Sequence, residues 1–134
     1  MRETSEQPVP RPRGRPRARH VVCPTDELPR GGTRLVAIGR RRILVVRTDE
    51  DEYLALASHC PHQGGPLDKG TLERMWVSDE VGTYSTSRKR FVVVCPWHNF
   101  EIEARRGCSP IEPARLRVAT YTVQVEDDHV VVYA

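Results

Sequence analysis

Cys60-Pro61-His62-Gln63-Gly64-Gly65-Pro66-Leu67 and, further on, Cys95-Pro96-Trp97-His98 are the stretches on which the reading of this chain turns. Each puts a thiol and an imidazole two or three positions apart, and each closes an apolar run, residues 54–57 before the first and 92–94 before the second. Ligand-type side chains at the ends of strands fall on loop tips, where a scaffold holds them while their outer faces meet solvent. Proline after each cysteine restrains the loop backbone. Gly64-Gly65 leaves room for backbone amides to approach a bound group closely.

Around these loops the pattern is one of short β-rich runs. His20-Val21-Val22-Cys23 opens the fold, and Pro24-Thr25-Asp26-Glu27-Leu28 suits one helical turn with Thr25 as N-cap. Strands are expected at 35–38, 43–48 and 53–58, joined by Gly39-Arg40-Arg41-Arg42 and by an acidic turn at 49–52. Further strands are expected at 91–95, 100–104, 116–126 and 129–133, with Asp127-Asp128 as a tight turn. In the long run Leu116 and Val118 share one phase and Tyr121, Val123 and Val125 the other, so a bulge near Ala119-Thr120 is expected. No helical period persists over ten residues. The fold class is therefore all-β, a small β-sandwich or barrel.

Composition narrows the class. A chain of 134 residues has room for one domain with a small core. Residues 1–20 hold six Arg and two Glu, a balance of +4, which leaves the rest at −1. With four prolines among those arginines, 1–20 is expected to be a disordered tail and 21–134 the folded domain. The longest apolar runs are about four residues, far short of the roughly 20 of a membrane span, and no apolar segment follows the first arginines. A cytoplasmic protein without a membrane contact is expected. Four cysteines in such a compartment point to metal or redox chemistry rather than disulfides.

Two metal centres use two thiolates and two imidazoles. Tetrahedral zinc takes such a set, but zinc fingers pair Cys with Cys and His with His. A [2Fe–2S] cluster can take two thiolates on one iron and two neutral imidazoles on the other, which makes it less negative and easier to reduce. Mixed Cys–His pairs favour the cluster over zinc.

The two loops, with the Phe100-Glu101-Ile102 that follows and the closing strand pair, resemble the cluster-binding loops and ending of the Rieske family over about residues 21–134. The resemblance implies a base β-sandwich carrying an inserted cluster-binding subdomain at about 58–108. It also implies one [2Fe–2S] cluster per chain, with Cys60 and Cys95 on one iron and His62 and His98 on the other. Two departures stand out. The 32 residues between His62 and Cys95 form a long polar connection, expected to make a projecting loop or extra hairpin. Asn99 stands where the family usually has Gly, and Asn is the side chain best suited to a left-handed turn.

The resemblance also bears on redox potential. High-potential members carry a disulfide between the loops, at positions that correspond here to Gly65 and Trp97. They also offer Ser and Tyr hydroxyls where this chain has Phe100 and Ile102. A low-potential, ferredoxin-type cluster is implied. Cys23 and Cys108 are expected to be packed thiols, Trp97 a lid over the loop, and His59 and His129 surface or turn residues. Beyond the four ligands only His20, His59 and His129 remain, too few and too scattered for the mononuclear iron site of an oxygenase.

The chain is thus expected to be no enzyme on its own but a one-electron carrier, a ferredoxin-like component of an oxidoreductase or dioxygenase system. It would receive electrons from a reductase and pass them to an oxygenase or other redox enzyme. An alternative is a small redox subunit of a larger enzyme such as a nitrite reductase. The sequence Pro12-Arg13-Gly14-Arg15-Pro16-Arg17 looks like an AT-hook, but one copy in a biased tail makes nucleic acid the least favoured partner.

Overall fold

The computed structural model describes residues 17–61, 64–77, 85–97 and 99–134, with backbone alone at 76–77 and 85–89. Two antiparallel sheets account for its strands. A six-stranded sheet curls into a nearly closed barrel. It contains β1 (Arg19–Pro24), β2 (Thr33–Ile38), β3 (Arg41–Arg47), β4 (Tyr53–Ala57), β8 (Thr120–Glu126) and β9 (His129–Tyr133), in the order β1-β9-β8-β4-β3-β2. A three-stranded sheet is built from β5 (Thr71–Val77), β6 (Ser85–Val94) and β7 (Glu101–Glu103), in the order β5-β6-β7. The long connection between the two loops is thus the extra hairpin β5–β6, although its tip at 78–84 lies outside the described residues.

β3 explains why the two sheets stack. Ile43, Leu44, Val45 and Val46 are all fully buried, so both faces of the strand are covered. Ile43 and Val45 face the barrel interior with Ala55, Leu28, Val130 and Val132. Leu44 and Val46 face outward with Leu56, and meet Leu67, Val93, Ile102, Cys60 and Cys95. Burying each such side chain is worth about 1.5–3 kcal/mol, so the outer cluster is what seats the small sheet on the barrel.

Turn chemistry agrees with the expected pattern between β8 and β9 and shortens it between β2 and β3. Asp127 and Asp128 have φ of 51° and 62°, the two-residue type I′ arrangement between β8 and β9. Gly39 at φ 62° makes the β2–β3 turn in two residues, Gly39 and Arg40, because Arg41 and Arg42 already belong to β3. Across β8 and β9, Glu126 receives hydrogen bonds from Tyr133 and Arg19, which hold its carboxyl below its ordinary range.

Three expectations need correction. Arg19 and His20 are not tail: they pair with Tyr133 and Val132, and Ala18 exchanges two 3.0 Å backbone bonds with Ala134. The open edge of β9 gives these residues backbone partners that sequence polarity does not reveal. Residues 1–16, with nearly all of the AT-hook-like segment, lie outside the described residues. Thr25 is the first residue of a 3₁₀ turn, Thr25–Glu27, not its cap; Pro24 stands there and no side chain caps the turn. The long strand at 116–126 is shorter, starting at Thr120, and no bulge joins its two phases. Leu116, Arg117 and Val118 instead bond to the 107–109 segment, through Ser109 N–H to Leu116 O at 2.8 Å and Val118 N–H to Gly107 O at 2.6 Å. The chain changes partner at Ala119, whose carbonyl accepts from Ala57 N–H. Two hydrophobic phases thus mark two pairing partners.

Candidate metal centre

Cys60 lies three residues beyond the end of β4, after Ser58 and His59, and Cys95 directly follows the end of β6. Both sulfurs belong to the outer apolar cluster, with Cys60 at 2% and Cys95 at 0% exposure. The first loop closes on itself: Cys60 N–H donates to Gly65 O at 2.8 Å, and Gly64 N–H donates to Cys60 O at 2.6 Å. Gly64 adopts a φ of 75°, which this tight return requires. Its far end is tied back by Ser58, whose hydroxyl donates to Asp68 Oδ1 at 3.1 Å and accepts from Asp68 N–H at 3.2 Å.

The second loop has the same construction. Cys95 N–H donates to Phe100 O at 2.7 Å, and Trp97 N–H points at Cys95 Sγ from 3.4 Å. Asn99 sits at φ 56°, the left-handed turn expected of it. The left-handed region costs most non-glycine residues about 1–2 kcal/mol. Asn99→Val is therefore expected to lower stability by about that amount, whereas Asn99→Gly keeps it; urea unfolding midpoints check the pair.

Gly65 is where the loops meet. A Cβ there would lie 2.6 Å from Cys95 Sγ and 3.0 Å from the Trp97 ring. The absence of a side chain at 65 thus lets one loop lie directly on the sulfur of the other. Positions 65 and 97 face one another across this contact, as the missing-disulfide correspondence implies. Trp97 remains 47% exposed and covers Gly65 from outside.

Beneath the loops, the β6–β7 pairing is braced by a buried carboxylate. Glu103 is 3% exposed and takes two 3.2 Å hydrogen bonds from the Arg90 guanidinium. That bond and the negative charge of Glu103 raise the Arg90 pKa above its ordinary value. Satisfied in this way, a buried charge fixes geometry more than it adds stability.

Of the four expected ligands, Cys60 and Cys95 are brought into one cluster. His62 and His98 lie outside the described residues, and among the described residues no group of three Cys, His, Asp or Glu side chains gathers to hold a metal. Cys23 and Cys108 are buried, unbridged thiols at 3% and 1% exposure. Burial pushes the Cys23 thiol up, which makes it less reactive. His59 is exposed, and His129 Nδ1 sits 2.8 Å from the Asp127 carbonyl in the β8–β9 turn. The closeness of Gly65 to Cys95 Sγ is the site feature that sequence spacing did not reveal, although the Gly64-Gly65 pair signalled a close approach of some kind.

Two buried thiols, an amide aimed at one of them and a glycine-lined approach form a cradle that fits a thiolate-held iron–sulfur group. Comparisons with known proteins agree. The family model for the Rieske [2Fe-2S] domain matches residues 18–122. Apoptosis-inducing factor 3 of Mus musculus is 31% identical over 128 residues, and the protein of that name in Homo sapiens is 30% identical over 132. The matches take in 96% and 98% of this chain but only 18% and 19% of those proteins. Among solved structures, the chain is similar to a putative NADH-dependent nitrite reductase small subunit from Mycobacterium tuberculosis. That likeness has a TM-score of 0.69 and 19% identity, and covers 88% of this chain and 96% of that one. The ferredoxin of carbazole 1,9a-dioxygenase from Nocardioides aromaticivorans IC177 gives a TM-score of 0.63 at 23% identity, over 85% and 95%.

Proposed function

The chain belongs to the Rieske [2Fe-2S] domain family, and from that premise we propose that it is a low-potential one-electron carrier. Family membership gives it one [2Fe–2S] cluster, which decides between iron and zinc. When bound, the cluster supplies reversible one-electron oxidation and reduction. Cys60 and Cys95 would hold one iron, and His62 and His98 the other. Residues of about 58–108 would form the cluster-binding subdomain within a domain of about 21–134, now extended at its start to include β1.

The observation that carries the low-potential reading is the apolar wall around the sulfurs. Ile102 is fully buried in the cluster that contains Cys60 and Cys95, and Phe100 packs against that cluster. Neither side chain offers a hydroxyl to a sulfur. Buried apolar surroundings disfavour the extra negative charge of the reduced state, and missing hydrogen bonds leave that charge less stabilised. The midpoint is expected in the lower part of the roughly −150 to +300 mV Rieske range. A redox titration followed by visible absorption checks this, and a midpoint well above zero would overturn it.

A reductase would load the electron, and an oxygenase or other redox enzyme would take it, at a weak, transient interface. Among the described residues no helix is long and apolar enough to cross a membrane, in keeping with a cytoplasmic carrier. A second reading, a redox subunit of a larger enzyme, draws support from the near-complete mutual overlap with the nitrite reductase small subunit.

A further inference from the structure

Two groups of described arginines contrast in their partners. At the β3–β4 turn the acids are matched: Arg74 reaches Asp49 at 2.9 Å and Glu50 at 2.8 Å, Arg47 reaches Asp51 at 2.7 Å, and Arg105 binds Glu52. At the opposite end of β3 the charge is left open. Arg40, Arg41, Arg42 and Arg117 line one cleft of about 440 Å³, and none of them forms an ion pair with a described carboxylate. All four side chains are exposed.

This cleft lies at the root of the Cys60 loop. Its walls include Ser58 and His59, the two residues before Cys60. Ser58 N–H donates to Arg42 O at 2.8 Å, and Ala57 N–H to Ala119 O at 2.9 Å. The two segments that bear the arginines are therefore fixed by backbone bonds to the strand that delivers the first cysteine. The floor is apolar, from Val118, Ala119 and the half-buried Tyr121. Four guanidiniums around an apolar floor suit carboxylate side chains carried on a protein face better than a phosphodiester backbone, which offers no apolar surface to fill it.

Resting on the carrier reading, we propose that this cleft is the docking surface for the acidic face of an electron-exchange partner protein. Carboxylates of the partner would meet Arg40, Arg41, Arg42 and Arg117, and so bring its redox centre to the side of the cluster loops. Opposite charges at such a face accelerate encounter at low salt and lose that effect once screened over a Debye length of about 8–10 Å.

The test uses the cluster-loaded full chain and, as probe, a reduced plant-type [2Fe–2S] ferredoxin of strongly negative surface, with a potential of about −400 mV. One electron leaves the probe, which is oxidised, and enters this chain's oxidised cluster, which is reduced. The second-order rate constant is measured against salt for wild type and for R40Q/R41Q/R42Q/R117Q. A control, R30Q/R34Q/R105Q/R115Q, removes the same charge elsewhere. The cleft variant is expected to transfer about 10- to 100-fold more slowly at low salt with a flattened salt dependence, while the control stays within about threefold of wild type. R40Q/R117Q, one change from each segment, should fall between them and serves should the fourfold variant fold poorly.

Equal rates and salt slopes for cleft variant and wild type would overturn the proposal. So would equal slowing by the control, since net charge alone would then suffice. A duplex DNA oligonucleotide that binds the wild type more tightly than the ferredoxin does, but not the cleft variant, would reassign the surface to nucleic acid. Failure of the carrier reading looks different: a protein without the visible and EPR spectrum of a cluster accepts no electron in any variant.

Discussion

Cys95→Ser is expected to give a folded chain without its cluster. The sulfur is completely buried, it accepts from Trp97 N–H, and Gly65 is shaped around it. A serine oxygen is shorter and harder, and is a poor substitute for thiolate on iron. Losing only an outer-shell partner of a metal site costs roughly 10–100-fold in affinity, so loss of a ligand is expected to exceed that. Iron and acid-labile sulfide should fall to background, with loss of the visible absorption. Cys108→Ser is the matched control, since that thiol is equally buried but bridges to Arg117 and Glu103 only through its backbone. It should keep its iron. Retention of iron by Cys95→Ser would remove Cys95 from the ligand set.

Gly65→Ala is the second large effect, and it separates space from backbone conformation. The new Cβ would fall 2.6 Å from Cys95 Sγ, too close for any real contact. Trp97 is half exposed and can swing aside, but the buried sulfur can move only with its loop. Overpacking of this kind costs about 1–3 kcal/mol, and here the strain falls on a ligand. Iron occupancy should drop severalfold. Gly64→Ala meets nothing within 4 Å but must hold a φ of 75°. It should lose stability by about 1–2 kcal/mol while keeping most of its iron. Measuring iron per chain together with the urea midpoint distinguishes the two, and equal iron loss in both would contradict a specific role for Gly65.

The core strands were legible because their alternation and length are local properties. The runs that became β3, β4 and β9 could be read directly, and so could the Asp127-Asp128 turn, whereas the turn at Gly39 is two residues shorter than the four read, because Arg41 and Arg42 pair with β2. The left-handed Asn99 was legible for the same reason: the demand is on one residue. What could not be read depended on partners distant in sequence. The strand character of Arg19 and His20 comes from the edge of β9, more than a hundred residues away. The break at Ala119 comes from a change of neighbour between the 107–109 segment and β4. The open charge at Arg40–Arg42 became visible only when the acids of 49–52 were seen to be consumed by Arg47, Arg74 and Arg105 at the other end of the strand. At the metal centre, the meeting of Cys60 and Cys95 in one buried cluster was implied by the resemblance of the two loops to the Rieske family. The fit of Gly65 against the second sulfur was not, because it requires the two loops in three dimensions.

The mixed ligand set is tested most directly by pulsed EPR of the dithionite-reduced protein, in natural abundance and with ¹⁵N-labelled histidine. Strong couplings from two imidazole nitrogens, converted by the label and reduced to one in His62→Cys or His98→Cys, are the expected result. A reduced [2Fe–2S] signal without histidine nitrogen couplings would contradict ligation by His62 and His98.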